Sequence, residues 1–131
     1  MVLMGMDYSA LVLTNTPEGL QLQQVECIKA DKGATETIVA SIPAESSTIY
    51  LRLKVHTTPH KIKESEGGHD HLVKAHWTYS YDGKKFHKIG NDFTVKEGKW
   101  IGAKMGLFCT RPHIVTNDGG WMDVDWFRVE K

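Results

Sequence analysis

This sequence of 131 residues lacks the features that identify several classes of protein at once. It has no excess of charge, because 16 Lys and Arg balance 16 Asp and Glu. It therefore lacks the basic surface expected of a protein that binds nucleic acid or a membrane surface. The apolar opening has no basic n-region and is interrupted by Gly5, Asp7 and Tyr8, so it is neither a signal peptide nor a membrane span. We expect neither nucleic acid nor a membrane among the partners.

Cysteine is also scarce. The two cysteines, Cys27 and Cys109, lie far apart and belong to no CxxC motif, so they form one disulfide or none. The cysteine content therefore does not decide whether the protein is secreted, periplasmic or cytoplasmic. The length is that of one domain, which can bury a core without disulfides or metals.

Helical spacing of apolar residues is absent as well. Instead, runs rich in β-branched and aromatic residues recur between clusters of Gly, Pro, Asn and Asp. This pattern predicts an all-β fold, an antiparallel sandwich or jelly roll. Tight turns are predicted at Thr16-Pro17-Glu18-Gly19 and at Asp82-Gly83. The predicted strands cover residues 9–15, 20–26, 35–42, 49–56, 72–81, 85–89, 104–109 and 121–130.

The last eleven residues, WMDVDWFRVEK, alternate between apolar and acidic side chains. In a strand, Met122, Val124 and Trp126 would share one face, and the acids would lie on the other. We therefore expect a core strand with Trp126 buried. Trp77, in the middle of another predicted strand, is also expected to pack inside, whereas Trp100 and Trp121 flank loops and are expected to be exposed.

A polar, glycine-rich segment connects His56 to His71. Its histidines raise the possibility of a zinc site, but no helix fixes their spacing. A long, solvated surface loop is the preferred interpretation.

Three ordered segments carry a family resemblance: HWTYSYDGKKFHKIG (76–90), EGKWIGAKMGLFCTRP (97–112) and NDGGWMDVDWFRVE (117–130). They resemble the C-terminal β-sandwich domain of glycoside hydrolase family 43, which comprises β-xylosidases and α-L-arabinofuranosidases. The resemblance implies a concanavalin A-like jelly roll that accompanies a five-bladed catalytic propeller. The opening MGMDYSALVL and the stretch VECIKADKG are similar too, so the resemblance covers nearly the whole chain.

The chain also departs from the family pattern. We expect residues 1–131 to be a single β-sandwich domain that lacks its first strands, with the catalytic propeller absent. The family's catalytic acids belong to the propeller, so the carboxylates here inherit no catalytic role. Asp123 and Asp125 would also point the same way from one strand, whereas inverting hydrolysis needs acids on opposite sides of the sugar. The chain alone is therefore not expected to be catalytic, although its parent protein would be a glycosidase.

Two kinds of site follow as expectations. Asp123, Asp125 and Asp118 are candidate ligands of a structural calcium, with solvated carboxylates as the alternative. By resemblance to a family segment that reaches the propeller active site, Lys99 or Trp100 would contact substrate. Trp121 is a second candidate ring for substrate binding.

The resulting hypothesis is a non-catalytic accessory module of a xylan- or arabinan-degrading glycoside hydrolase. It would dock on the propeller and contribute an aromatic residue to a pocket for xylo- or arabino-oligosaccharides. The alternative is a free-standing, lectin-like carbohydrate-binding module. Missing strands would also leave exposed edges, which favour a homodimer.

Overall fold

The computed structural model describes residues 1–59, 71–110 and 121–131. In these ranges the chain is almost entirely extended, and no helix is long and apolar enough to cross a bilayer. The strands are β1 (Val2–Met4), β2 (Tyr8–Thr16), β3 (Gly19–Cys27), β4 (Thr37–Pro43), β5 (Tyr50–Pro59), β6 (His71–Ser80), β7 (His87–Thr94) and β8 (Lys104–Gly106), with a 3-10 turn at Ala30–Lys32.

The described strands form two antiparallel sheets. One has five strands in the order β4-β3-β2-β1-β8, and the other has three in the order β5-β6-β7. Each sheet turns one side toward the other, and the buried apolar side chains lie between them. The predicted all-β sandwich is therefore confirmed.

The core contains residues from both sheets: Leu3, Leu11, Leu22, Ala75, Trp77, Ile89 and Phe93. Trp77 is completely buried, as predicted, and its indole N–H donates to Ser9 Oγ at 2.9 Å. A buried indole N–H needs such a partner because folding removes the water that hydrogen-bonds to it in the unfolded chain. This bond crosses from β6 to β2 and so joins the two sheets through the core.

The first predicted turn is confirmed. Thr16 pairs with Gly19 across a two-residue loop, and Gly19 has a φ of 113°, which glycine adopts without strain. At Asp82-Gly83 the turn is longer than predicted, because β6 ends at Ser80 and β7 begins only at His87. The predicted strand 85–89 therefore starts two residues late and continues to Thr94.

The C-terminal strand prediction is wrong for the described residues. Residues 121–131 have no strand conformation, and Met122, Val124 and Trp126 are exposed, Trp126 by 57%. Alternation makes a strand only where a neighbour accepts its backbone hydrogen bonds, and this segment pairs with no described strand. The ring of Trp126 instead lies near the ring of Tyr50, with 6.2 Å between the two ring centroids.

Other differences are smaller. Strand β8 covers three residues rather than the predicted 104–109, and β5 extends past His56 to Pro59. His56 and His71 thus belong to strands, while His60, His69 and the rest of the histidine-rich segment lie outside the described residues. Both cysteines are free thiols, Cys27 buried and Cys109 exposed.

Candidate functional site

The segment that follows β7, residues 96–102, carries the most exposed aromatic ring of the described chain. We call this segment the Trp100 loop. The Trp100 side chain is 94% exposed, so its ring is accessible to a partner or a ligand. How the loop is held therefore determines what this ring can contact.

Backbone contacts fix the start of the loop against the turn between β1 and β2. The N–H of Met6 donates to the carbonyl of Glu97 at 3.0 Å. Gly5 lies so close to the backbone of Lys96 that a Cβ there would be 1.8 Å from the Lys96 carbonyl oxygen. Only glycine permits this approach, so the turn and the loop are packed backbone to backbone.

An ion pair between a buried carboxylate and a half-exposed lysine strengthens the same contact. The Asp7 carboxylate is 3% exposed and lies 2.7 Å from Lys96 Nζ, and it also accepts the backbone N–H of Lys29 at 2.6 Å. Burial acts to raise the pKa of Asp7, but the hydrogen bonds from Lys96 and Lys29 outweigh it and leave the pKa below its ordinary value. Asp7 is therefore a charged anchor at the base of the loop.

A second, weaker ion pair lies further along the loop. Lys99 Nζ is 3.6 Å from Asp31 Oδ2, and the Lys99 side chain is mostly exposed. A pair of this kind contributes little to stability because water screens it. It nevertheless joins the Trp100 loop to the 3-10 turn at Ala30–Lys32 through the residue that precedes Trp100.

Exposed apolar side chains are concentrated in the same part of the sequence. Residues 100–108 and 121–129 contain most of the large exposed apolar side chains of the described chain: Trp100, Ile101, Met105, Leu107, Phe108, Trp121, Met122, Val124, Trp126, Phe127 and Val129. Charged or polar residues would be expected there in a chain whose surface meets only water.

The predicted site residues fall into two groups. Lys99 and Trp100 lie together on the Trp100 loop, and both predicted exposed rings are exposed, Trp121 by 86%. Asp123 and Asp125 lie in the unpaired segment 121–131, and Asp118 lies outside the described residues. Within the described ranges no group of three potential ligands is close enough to hold a metal, and two carboxylates are far fewer than the six to eight oxygens that calcium takes. The calcium site stays a prediction.

Sequence reasoning missed Asp7 and its partner. They are separated by 89 positions (96 − 7), and no local motif connects them. One indirect indication was available, since Asp7 interrupts an apolar run and a buried acid requires a partner.

The Trp100 loop presents two kinds of group that proteins use in recognition. An exposed indole ring offers a flat apolar face, and the ammonium group of Lys99 offers hydrogen-bond donors. The loop is suited to cover and orient a partner or ligand.

Two packed antiparallel sheets make the chain a β-sandwich domain. Residues 1–130 match the family described as the β-xylosidase C-terminal concanavalin A-like domain. The chain belongs to this family, as the resemblance predicted.

One curated relative adds a direct comparison. A β-xylosidase of Formosa agariphila is 44% identical over 57 residues, which is 44% of this chain and 9% of the relative. The match thus spans a small part of a much longer enzyme. No solved structure matches the chain significantly.

Proposed function

We propose that this chain is the accessory domain of a family 43 β-xylosidase or arabinofuranosidase, that it docks on the catalytic propeller, and that it inserts Trp100 into the rim of the substrate pocket. The exposed ring of Trp100 on an anchored loop is the observation that carries the proposal. The ring is 94% exposed, while the base of its loop is fixed by the pairing of Lys96 with the buried carboxylate of Asp7; the loop is therefore positioned for a contact that the described chain does not make.

The exposed apolar segments support the docking part of the proposal. Interfaces between domains cover apolar and aromatic side chains with a polar rim. Residues 100–108 and 121–129 supply such side chains. Docking would also give segment 121–131 the neighbour that it lacks, so that its alternating pattern could form a strand.

The substrate would be a xylo- or arabino-oligosaccharide. An indole face packs against the C–H face of a pyranose or furanose ring, and the Lys99 ammonium group donates hydrogen bonds to hydroxyl oxygens. The bond-breaking carboxyl groups would belong to the propeller. This chain would shape the pocket and exclude water from it.

The test combines this chain with a family 43 propeller domain from the same genome. We expect a 1:1 complex in analytical ultracentrifugation and a lower KM for an aryl-xyloside than the propeller shows alone. Trp100→Ala should raise that KM about tenfold with little change in kcat, since it removes a binding contact. Ile38→Ala is the control for loss of an exposed apolar side chain, because Ile38 is 61% exposed on β4 and lies outside the proposed docking segments; it should leave KM unchanged.

Two results would contradict the proposal. One is that no family 43 propeller encoded by that genome forms a complex with the chain. The other is an unchanged KM for Trp100→Ala within a complex that does form. If the chain instead forms a homodimer through its exposed edges, it should self-associate, and addition of the propeller should not dissociate the dimer.

A further inference from the structure

A concave site lies at one end of the three-stranded sheet, where β6 ends and β7 begins. It is an open cleft of about 300 Å³, at the lower end of the range for small-molecule pockets. We call it the tyrosine cleft. Its lining consists of Glu45, Tyr79, Tyr81, Asp82, Lys85 and His87.

Three aromatic rings form one wall of the tyrosine cleft. Tyr79 lies between the other two, with ring centroids 5.7 Å from Tyr81 and 5.8 Å from His87. The pairing of Tyr79 with His87 across β6 and β7 sets the second distance. Burial, followed by the nearby Tyr81 and Glu45, raises the pKa of Tyr79, so its hydroxyl stays protonated and can both donate and accept hydrogen bonds.

The polar groups of the cleft are held in place by the backbone. The N–H of Glu45, just beyond β4, donates to the hydroxyl oxygen of Tyr81 at 3.0 Å. Asp82 Oδ1 accepts the Ser80 hydroxyl at 2.8 Å and the backbone N–H groups of Lys84 and Lys85 at 2.8 and 2.9 Å. These bonds lower the pKa of Asp82 to about 2, so it is a fixed hydrogen-bond acceptor.

The mixture of groups narrows the ligand class. Two carboxylates, Glu45 and Asp82, disfavour an anion, although Lys85 lies beside them. A divalent metal is disfavoured too, because the described residues contain no cluster of three potential ligands. Lys85 in the same lining disfavours an organic cation. The groups are best matched by a neutral molecule with apolar faces for the rings and many hydroxyl groups for the donors and acceptors.

We propose that the tyrosine cleft binds a neutral saccharide, with its ring packed on Tyr79 and Tyr81 and its hydroxyls bonded to Glu45, Asp82 and Lys85. This site is separate from the Trp100 loop. Val95, just before that loop, bonds to Val73 near the start of β6. Tyr79 lies six positions further along the same strand, about 20 Å away. Binding at the tyrosine cleft therefore does not depend on the insertion of Trp100 into a propeller.

The test titrates the isolated, 15N-labelled chain with xylohexaose, arabinohexaose and cellohexaose. We expect at least one to shift the amide resonances of Tyr81, Asp82, Lys85 and His87. Tyr81→Ala should weaken that binding at least about fivefold, the usual effect of removing an aromatic contact. Trp100→Ala should leave it unchanged, which separates this result from any failure of the docking proposal.

Adjacent lysines provide a matched control. Lys85 lines the cleft and Lys84 does not, although both donate their backbone N–H to Asp82. Lys85→Ala should weaken binding several-fold, whereas Lys84→Ala, with the same change in charge, should bind like the parent. If Tyr81→Ala does not fold, Tyr81→Leu keeps an apolar side chain at the position and still removes the ring, and it should weaken binding to a similar extent.

Three results would overturn the proposal. The first is no shift with any of the three hexaoses up to about 10 mM, a concentration that detects even weak sites. The second is a set of shifts restricted to the Trp100 loop. The third is equal weakening by Lys84→Ala and Lys85→Ala, which would assign the effect to the turn rather than to the cleft.

Discussion

Replacing Asp7 with asparagine tests whether a buried charge holds the Trp100 loop. The asparagine keeps the size of the side chain, and its carbonyl oxygen can still accept the N–H of Lys29. It loses the ion pair with Lys96, which joins Nζ to the carboxylate at 2.7 Å. The variant therefore isolates one charge-assisted bond.

The structure sets the expected magnitude. Removing one partner of a fully buried ion pair costs about 3–5 kcal/mol, but the Lys96 side chain is 49% exposed and can regain water. The decrease in the free energy of unfolding should therefore be close to the contribution of one hydrogen bond to a charged group, about 1.5–3 kcal/mol. We expect a decrease of about 2 kcal/mol in the free energy of unfolding, a shift of roughly 1 M in a urea midpoint.

The dependence on pH gives a second measurement of the same bond. Because the pKa of Asp7 is lowered in the folded state from an ordinary value of 3.8, its contribution is complete above that value. It is lost as pH falls through the folded pKa. The stability difference between parent and Asp7→Asn should therefore be constant near neutral pH and should shrink below about pH 4.

Urea unfolding followed by circular dichroism measures the stability, and hydrogen exchange measures the loop. Asp7→Asn should increase amide exchange at Met6, whose N–H bonds to Glu97. Asp31→Asn is the matched control, because its partner Lys99 is exposed and the expected change is within about 0.5 kcal/mol. Equal losses for the two variants, or a pH-independent difference, would refute the reasoning.

Two further predictions concern the contact between the sheets. Trp77→Phe and Ser9→Ala, combined in a double-mutant cycle, should show a coupling of about 1 kcal/mol for their 2.9 Å bond, and strict additivity in urea unfolding would contradict it. Gly90→Ala should destabilise the chain by more than about 1 kcal/mol, because Gly90 has a φ of 65° and a Cβ there would lie 2.0 Å from Gln24 Oε1. Thermal unfolding measures this change, and an unchanged midpoint would count against the close contact.

The sequence predicted the features that depend on local pattern. Alternation and β-branched content located the described strands other than β1, and Pro17 with Gly19 located the first hairpin. The burial of Trp77 and the exposure of Trp100 and Trp121 followed from their positions in a strand or beside loops. In each case the nearest residues in the chain determine the outcome.

Features that depend on distant partners were missed. The ion pair of Asp7 with Lys96 and the bond of Glu45 to Tyr81 join parts of the chain that only the fold brings together. The packing of His87 beside Tyr79 likewise depends on the register in which β6 and β7 pair. The opposite error occurred at Trp126, where a strong local pattern had no described neighbouring strand to complete it.

The distribution of the four tryptophans gives the chain a built-in optical reporter. Trp77 is the one buried indole, whereas Trp100, Trp121 and Trp126 all face solvent. Emission from the folded chain should therefore be dominated by hydrated indoles, and iodide should quench most of it. Any partner that covers these rings would shift the emission to shorter wavelength without a dye or a label.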